Sequence, residues 1–182
     1  MAHLARFALA TRARTCCGVI LLAGLPALPL PEVTHIEAGP ASLRGLPGVA
    51  VIAEQVSSEI RPYGLTEEWL EQRITSALQR DSIPLLTRSD ALGRDRQPLL
   101  VARVQTVRYP GRETFAWHLS LALHQKLALP GTSGPPVLAS TWEANASIGL
   151  TSAKMLRSSI GGSLEDQAAE FVQAWRKRSL GE

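Results

Sequence analysis

Three histidines lie beyond the first 30 residues of this chain, and histidine serves as an acid, a base or a metal ligand. They are His35, His118 and His124. If the last two share a strand, their offset of six positions spans roughly 20 Å, too far for both to bind one metal ion. No carboxylate lies at ligand spacing near either of them. We therefore expect no metal site.

Serine, glycine and the acidic pairs give no signal for a nucleophile or a phosphate loop. The chain has no Gly-x-Ser-x-Gly sequence, and its two candidates, Gly131–Gly134 and Gly161–Ser163, fit a hairpin loop and an interrupted helix. Gly161 and Gly162 lack the lysine of a phosphate-binding loop. The pairs Glu67–Glu68 and Glu165–Asp166 fit the first turns of helices. The sequence therefore predicts no catalytic residue and no cofactor.

Cysteine and net charge are both concentrated near the N-terminus. Cys16 and Cys17 are the only two cysteines, which excludes disulfides and thiol chemistry from the rest of the chain. The three excess basic residues are Arg6, Arg12 and Arg14, so acids and bases are equal in number from residue 32 onwards. A body without net positive charge has little to attract a phosphate backbone, and we expect no nucleic-acid partner.

Residues 1–30 have the features of an export signal, with arginines followed by the apolar stretch 19–30. That stretch is shorter than the roughly 20 residues of a transmembrane helix, and prolines interrupt it. We expect residues 1–30 to be removed as a signal peptide, and we expect the protein to be periplasmic or secreted. The alternative is an uncleaved leader, which would be the protein's only membrane contact. Residues 31–46 are rich in proline and glycine, and we expect them to form a flexible arm. We expect residues 47–180 to form a single domain.

The elements that would position any site follow from the pattern of apolar residues. Thr66 fits the N-cap of a first helix, which ends near Asp81. Alternation over residues 115–129 predicts a half-buried antiparallel strand. The predicted strands are 49–56, 83–86 at an edge, 99–109, 115–129 and 137–148. A second helix is predicted from 152 to 178, and Gly161–Gly162 are expected to interrupt it with a kink.

This order of elements predicts an α+β fold, a two-layer sandwich in which two helices cover one face of a mostly antiparallel sheet of four to five strands. Trp117, Trp142 and Trp175 fall on apolar sides and fit core positions, whereas Trp69 lies beside its apolar stripe and fits a partly exposed one. The opposite face of the sheet would be uncovered. Its predicted residues are Arg103, Gln105, His118, Ser120, His124, Thr141, Glu143 and Asn145.

Several short stretches resemble a family of small exported bacterial proteins of unassigned function. They are Gly64–Thr66, residues 119–129 with Gln125, Thr141–Trp142, and 171–175. The resemblance covers about residues 47–178. The order of elements is also similar to that of envelope accessory lipoproteins of the transport-auxiliary and lipopolysaccharide-assembly types, although this chain lacks their acylated cysteine. Such similarity implies a role without catalysis.

The sequence thus predicts a secreted or periplasmic accessory or binding protein, not an enzyme, whose partner is an envelope protein or polymer. The predicted partner face is marked by Arg103, His118 and Glu143. The alternative is a cofactor-free envelope hydrolase that uses the same three residues. A concave site in which they converge would favour the hydrolase, and a flat polar face would favour binding or a simply solvated surface.

Overall fold

The computed structural model describes residues 39–128, 131 and 133–178, which belong to one compact unit of the chain. The five strands are β1 (Ala50–Ala53), β2 (Leu99–Arg108), β3 (Thr114–Leu127), β4 (Val137–Glu143) and β5 (Ser147–Ser152). The three α-helices are α1 (Glu67–Arg80), α2 (Arg88–Leu92) and α3 (Ala153–Lys177). Short 3₁₀ helices occur at Pro40–Leu43 and Arg61–Tyr63. The predicted α+β class is confirmed.

The long strand β3 organises the sheet. One edge of β3 pairs antiparallel with β2. The other edge pairs antiparallel with two strands, β5 along its first half and β4 along its second half. β1 pairs in parallel with β2 and completes an open, mixed sheet of five strands. The single strand predicted over 137–148 is therefore two strands, because the chain leaves β3 between Glu143 and Ser147. Together β4 and β5 form one interrupted edge of the sheet.

Helices α1 and α3 cover one face of the sheet and enclose the main core. Thr66 caps α1 as predicted, since its hydroxyl accepts a hydrogen bond from the Trp69 amide at 3.2 Å. The predicted core positions of Trp117, Trp142 and Trp175 are confirmed, and Trp69 is half-buried. The fully buried large side chains are Phe115, Phe171, Leu43, Ile60, Leu65, Leu70, Ile74, Leu78, Leu100, Leu119, Leu121 and Leu123.

α3 runs without a break through Gly161 and Gly162, so the expected interruption there is wrong. A Cβ atom added at Gly161 would lie 3.3 Å from Cη2 of Trp69 on α1. The glycine therefore lets the two helices approach each other closely. Ile160 and Leu164 are both buried beside it. Packing of this kind stabilises a helix more than propensity alone does.

Two further elements differ from the sequence prediction. Residues 83–86 do not form an edge strand, because only Leu85 bridges Val49. The loop that follows contains α2, capped by Thr87, whose hydroxyl accepts from the Asp90 amide at 3.1 Å. Ala91 of α2 packs on the other face of the sheet in a small cluster with Ala50 and Leu99. That face is thus covered at one end only.

The N-terminal predictions lie mostly outside the described residues. This applies to the export signal at 1–30 and to residues 31–38 of the predicted arm. The remaining arm residues pack against the domain, with Leu43 fully buried and Leu46 at 4% exposure. The Gly39 amide donates to the carbonyl of Thr141 at 2.9 Å. The packed part of the chain therefore begins at least eight residues before the predicted boundary.

Candidate functional site on the uncovered face of the sheet

A groove of about 290 Å³ crosses the middle of the face that α1 and α3 leave uncovered. Alternation along the strands places its residues there, since successive side chains of a strand point to opposite faces. The groove is lined by Glu54, Val101, Arg103, His118, Ser120, Ala122, His124, Ser140, Glu143, Ala144 and Ala146. Polar side chains stand beside small apolar ones, so the groove offers both hydrogen-bonding groups and apolar contact area. We call this feature the polar groove.

The three residues predicted for the partner face all line the polar groove. Arg103 lies opposite Ser120 on β3, and Glu143 lies opposite Ala122. His118 is four residues before Ala122 on the same strand, which separates it from Glu143 by about 13 Å along β3. The three residues therefore share one surface without meeting at one point.

Arg103 is paired within the polar groove with Glu54, a residue that the sequence analysis missed. Its Nε and Nη2 atoms donate to the two carboxylate oxygens of Glu54 at 2.7 and 2.6 Å. These hydrogen bonds lower the pKa of Glu54, against a smaller opposing effect of burial, and raise the pKa of Arg103. The parallel register sets Ala53 beside Ala102, so the next residues on each strand meet. An acid directly after an apolar strand was the available sequence signal.

Two residues predicted for this face, Thr141 and Asn145, lie elsewhere. The pairing of β3 with β4 shifts between Leu123 and His124. The shift turns Thr141 to the core side, where its hydroxyl accepts from Gln125 Nε2 at 2.8 Å. Ser140 lies opposite His124 in the polar groove instead. Asn145 follows the end of β4, and its amide donates to Glu170 of α3 at 2.9 Å.

His118 and His124 both lie on β3, as predicted. Within residues 39–128, 131 and 133–178, the structure contains no group of three or more His, Cys, Asp or Glu side chains placed to hold a metal ion. In the same residues His118 Nδ1 is enclosed and makes no hydrogen bond. The polar groove can therefore donate and accept hydrogen bonds, and it carries both signs of charge.

An apolar patch adjoins the polar groove on the same face. Val107 and Leu150 both lie opposite Ala116, on its two sides, and Ile148 lies opposite His118. The exposed fractions of Val107, Ile148 and Leu150 are 70%, 80% and 70%. Contiguous exposed apolar side chains on a folded domain commonly mark a binding surface. We call Val107, Ala116, Ile148 and Leu150 the apolar patch.

The apolar patch borders the outer side of β5, whose backbone offers unsatisfied hydrogen-bonding groups. The Ala153 amide donates to the Glu113 carbonyl at 2.8 Å, which fixes the alternation of bonded pairs between β3 and β5. By that alternation Gly149 and Thr151 bond to β3, while Ile148 and Leu150 direct N–H and C=O groups away from it. In the part of the chain that the structure describes, no strand pairs with this side of β5.

Comparison with known proteins assigns no family to the chain. No protein-family model matches the chain, and no curated protein matches it. The resemblance to small exported proteins and to envelope lipoproteins therefore remains a prediction. None of the described helices is both long enough and apolar enough to cross a membrane.

Proposed function

We propose that this protein is an exported accessory protein of the bacterial cell envelope that binds an extended segment of a partner polypeptide and has no catalytic activity of its own. The polar groove, the apolar patch and the outer side of β5 would form one binding surface. The observation that carries the proposal is the exposure of Ile148 and Leu150 on a strand edge without a partner among the described residues.

Strand addition explains why these features occur together. A peptide that pairs with β5 would bond to the outward N–H and C=O groups of Ile148 and Leu150, which gives affinity independent of sequence. Its alternate side chains would cover the apolar patch. Strand edges are commonly protected by charge or proline, yet the sequence Ser147–Ser152 contains neither. An envelope polymer could also use the polar groove, but it lacks the regularly spaced N–H and C=O groups with which a polypeptide strand pairs with a sheet edge.

The alternative function, a cofactor-free envelope hydrolase, has less support. A general base must lie within hydrogen-bond reach of the group it activates. His118 and Glu143 are separated along β3 by about 13 Å, and the guanidinium of Arg103 is engaged by Glu54. Closer contact would need a shift in strand register.

Affinity capture from envelope extracts tests the proposal with four forms of the protein. These are the parent, Leu150→Lys, the double variant Arg103→Ala and Glu143→Ala, and the control Leu92→Lys. Leu92 is an exposed leucine of α2 outside the binding surface. All four should melt within a few degrees of one another, since exposed side chains contribute little to folding.

We expect Leu150→Lys to lose a polypeptide that Leu92→Lys still captures, because a charge on the strand edge opposes strand addition. The double variant should capture the same polypeptide more weakly. Equal capture by all four forms would contradict the proposal. The proposal would also be contradicted if the parent bound purified envelope polymer and no polypeptide, and if only the double variant lost that binding.

A further inference from the structure

Two arginines lie over one tryptophan at the seam between α1 and α3, on the side of the sheet opposite the polar groove. The guanidinium carbon of Arg73 is 5.4 Å from the centre of the Trp69 ring, and that of Arg157 is 5.0 Å from it. Both distances are within the range of a cation–π interaction. Two positive charges are thus collected over a single indole.

The surrounding backbone holds these side chains in place. A Cβ atom at Gly64 would lie 3.1 Å from Nη1 of Arg157, so the guanidinium packs directly over this glycine. Arg73 donates to the carboxylate of Glu165. Trp69 packs against Gly161. Side chains that are already ordered lose less conformational freedom when a ligand binds.

The seam has a local excess of positive charge, although acids and bases are equal in number from residue 32 onwards. A cavity of about 400 Å³ is lined by Trp69, Gln72, Arg73, Ser76, Arg80, Arg157 and Glu165. Glu165 pairs with Arg73. Within the described residues, neither Arg80 nor Arg157 has a carboxylate within ion-pair distance. The lining therefore carries three cations and one anion.

We propose that this seam binds a phosphate group. A guanidinium presents a planar fork of N–H donors that matches phosphate oxygens, and Gln72 and Ser76 would add uncharged donors. A phosphomonoester carries about −1.5 to −2 charges at pH 7, which would balance the excess charge of the lining. The phosphate would belong either to a small molecule or to a lipid headgroup.

Titration with inorganic phosphate, followed by calorimetry at low salt, tests this site in the parent, in Arg157→Gln and in the control Arg88→Gln. Arg88 is an exposed arginine of α2, away from the seam. We expect the affinity of Arg157→Gln to be lower by at least about tenfold, because charge-assisted hydrogen bonds are lost. The affinity of Arg88→Gln should equal that of the parent.

Sedimentation with vesicles of phosphatidic acid, against vesicles of phosphatidylcholine, distinguishes the two sources of phosphate. Binding to phosphatidic acid that Arg157→Gln weakens would assign a lipid headgroup, and binding of inorganic phosphate alone would assign a small molecule. The proposal would be overturned if neither ligand bound. Equal weakening by Arg157→Gln and Arg88→Gln would also overturn it, since binding would then reflect only total charge.

Discussion

Gln167 joins α3 to the sheet at the point where β4 gives way to β5. Its Nε2 atom lies 3.1 Å from each of the carbonyl oxygens of Leu119 and Asn145 and 3.0 Å from Oγ of Ser147, so its two N–H groups are shared among three acceptors. The residue is 1% exposed. This one side chain satisfies polar groups of two strands, and it thereby fixes the start of β5 and the edge on which the proposed binding surface depends.

We predict that Gln167→Leu lowers the free energy of unfolding by about 1–3 kcal/mol, because buried acceptors lose their donor. The same change at Gln173, an exposed residue of α3, should alter it by less than about 0.5 kcal/mol. Urea denaturation measures both. Equal effects at the two positions would show that Gln167 is not a buried link.

Glu54 should contribute to stability in a way that depends on pH. Arg103 stabilises its carboxylate, so the pKa of Glu54 is lower in the folded protein than in the unfolded chain. The contribution is complete above the unfolded-state pKa of about 4.3 and is lost as the pH falls through the folded-state value. Because the pair is partly exposed, the effect should stay below about 1 kcal/mol.

We therefore predict that Glu54→Gln reduces stability at pH 7 and flattens its decline between about pH 5 and 3. Glu59→Gln, a change at an exposed acid outside the polar groove, serves as the control. Denaturation curves measured across this pH range give the slope of the unfolding free energy against pH for each protein. A variant that follows the parent's pH dependence would refute the assigned role of the Glu54–Arg103 pair.

At the scale of elements, two adjacent glycines of α3 have different surroundings. Close packing of α3 on α1 requires a glycine at position 161, whereas position 162 has room for a side chain. A Cβ atom at Gly162 would meet nothing within 4 Å, whereas one at Gly161 would press on Trp69. We predict that Gly162→Ala stabilises the protein by about 0.5–1 kcal/mol through helix propensity. Gly161→Ala should gain less or be destabilising. Thermal unfolding compares them, and a loss of stability in Gly162→Ala would mean that α3 is not regular there.

The elements that could be predicted from sequence are those with a long, regular pattern. β3 alternates over its whole length, and α1 has a cap and an apolar stripe, so both were placed within a few residues. α2 was missed because five residues carry too little periodicity. The break between β4 and β5 was missed because Ala144 and Ala146 continue the apolar alternation while the chain changes its pairing partner on β3.

The candidate site was predictable to a similar degree. Arg103, His118 and Glu143 were placed on one face by alternation alone. Thr141 was misplaced because a bulge adds one residue to β4 and reverses the alternation, which no local pattern reveals. Sequence marks Glu54 only as an acid that follows an apolar strand, and its pairing with Arg103 requires the fold. Gln167 requires tertiary information altogether, since its partners lie on and between the strands of the sheet. The exposure of Leu150 likewise depends on what covers it.

At the scale of the whole molecule, the two faces of the sheet differ in how much of them is covered. The face under α1 and α3 holds the core, and stability resides there. The other face is covered by α2 at one end only, and it presents the polar groove, the apolar patch and the outer edge of β5 side by side. Changes on this face should therefore alter binding with little effect on folding.

Site-specific photo-crosslinking in the native host tests this account most directly. A photoreactive residue is placed at Ile148 on the proposed binding surface, and in a second protein at Gln173 on α3. We predict a crosslinked envelope polypeptide from position 148 that Leu150→Lys removes, and none from position 173. If position 148 gives no polypeptide adduct, or gives the same adducts as position 173, the uncovered face is not the binding surface.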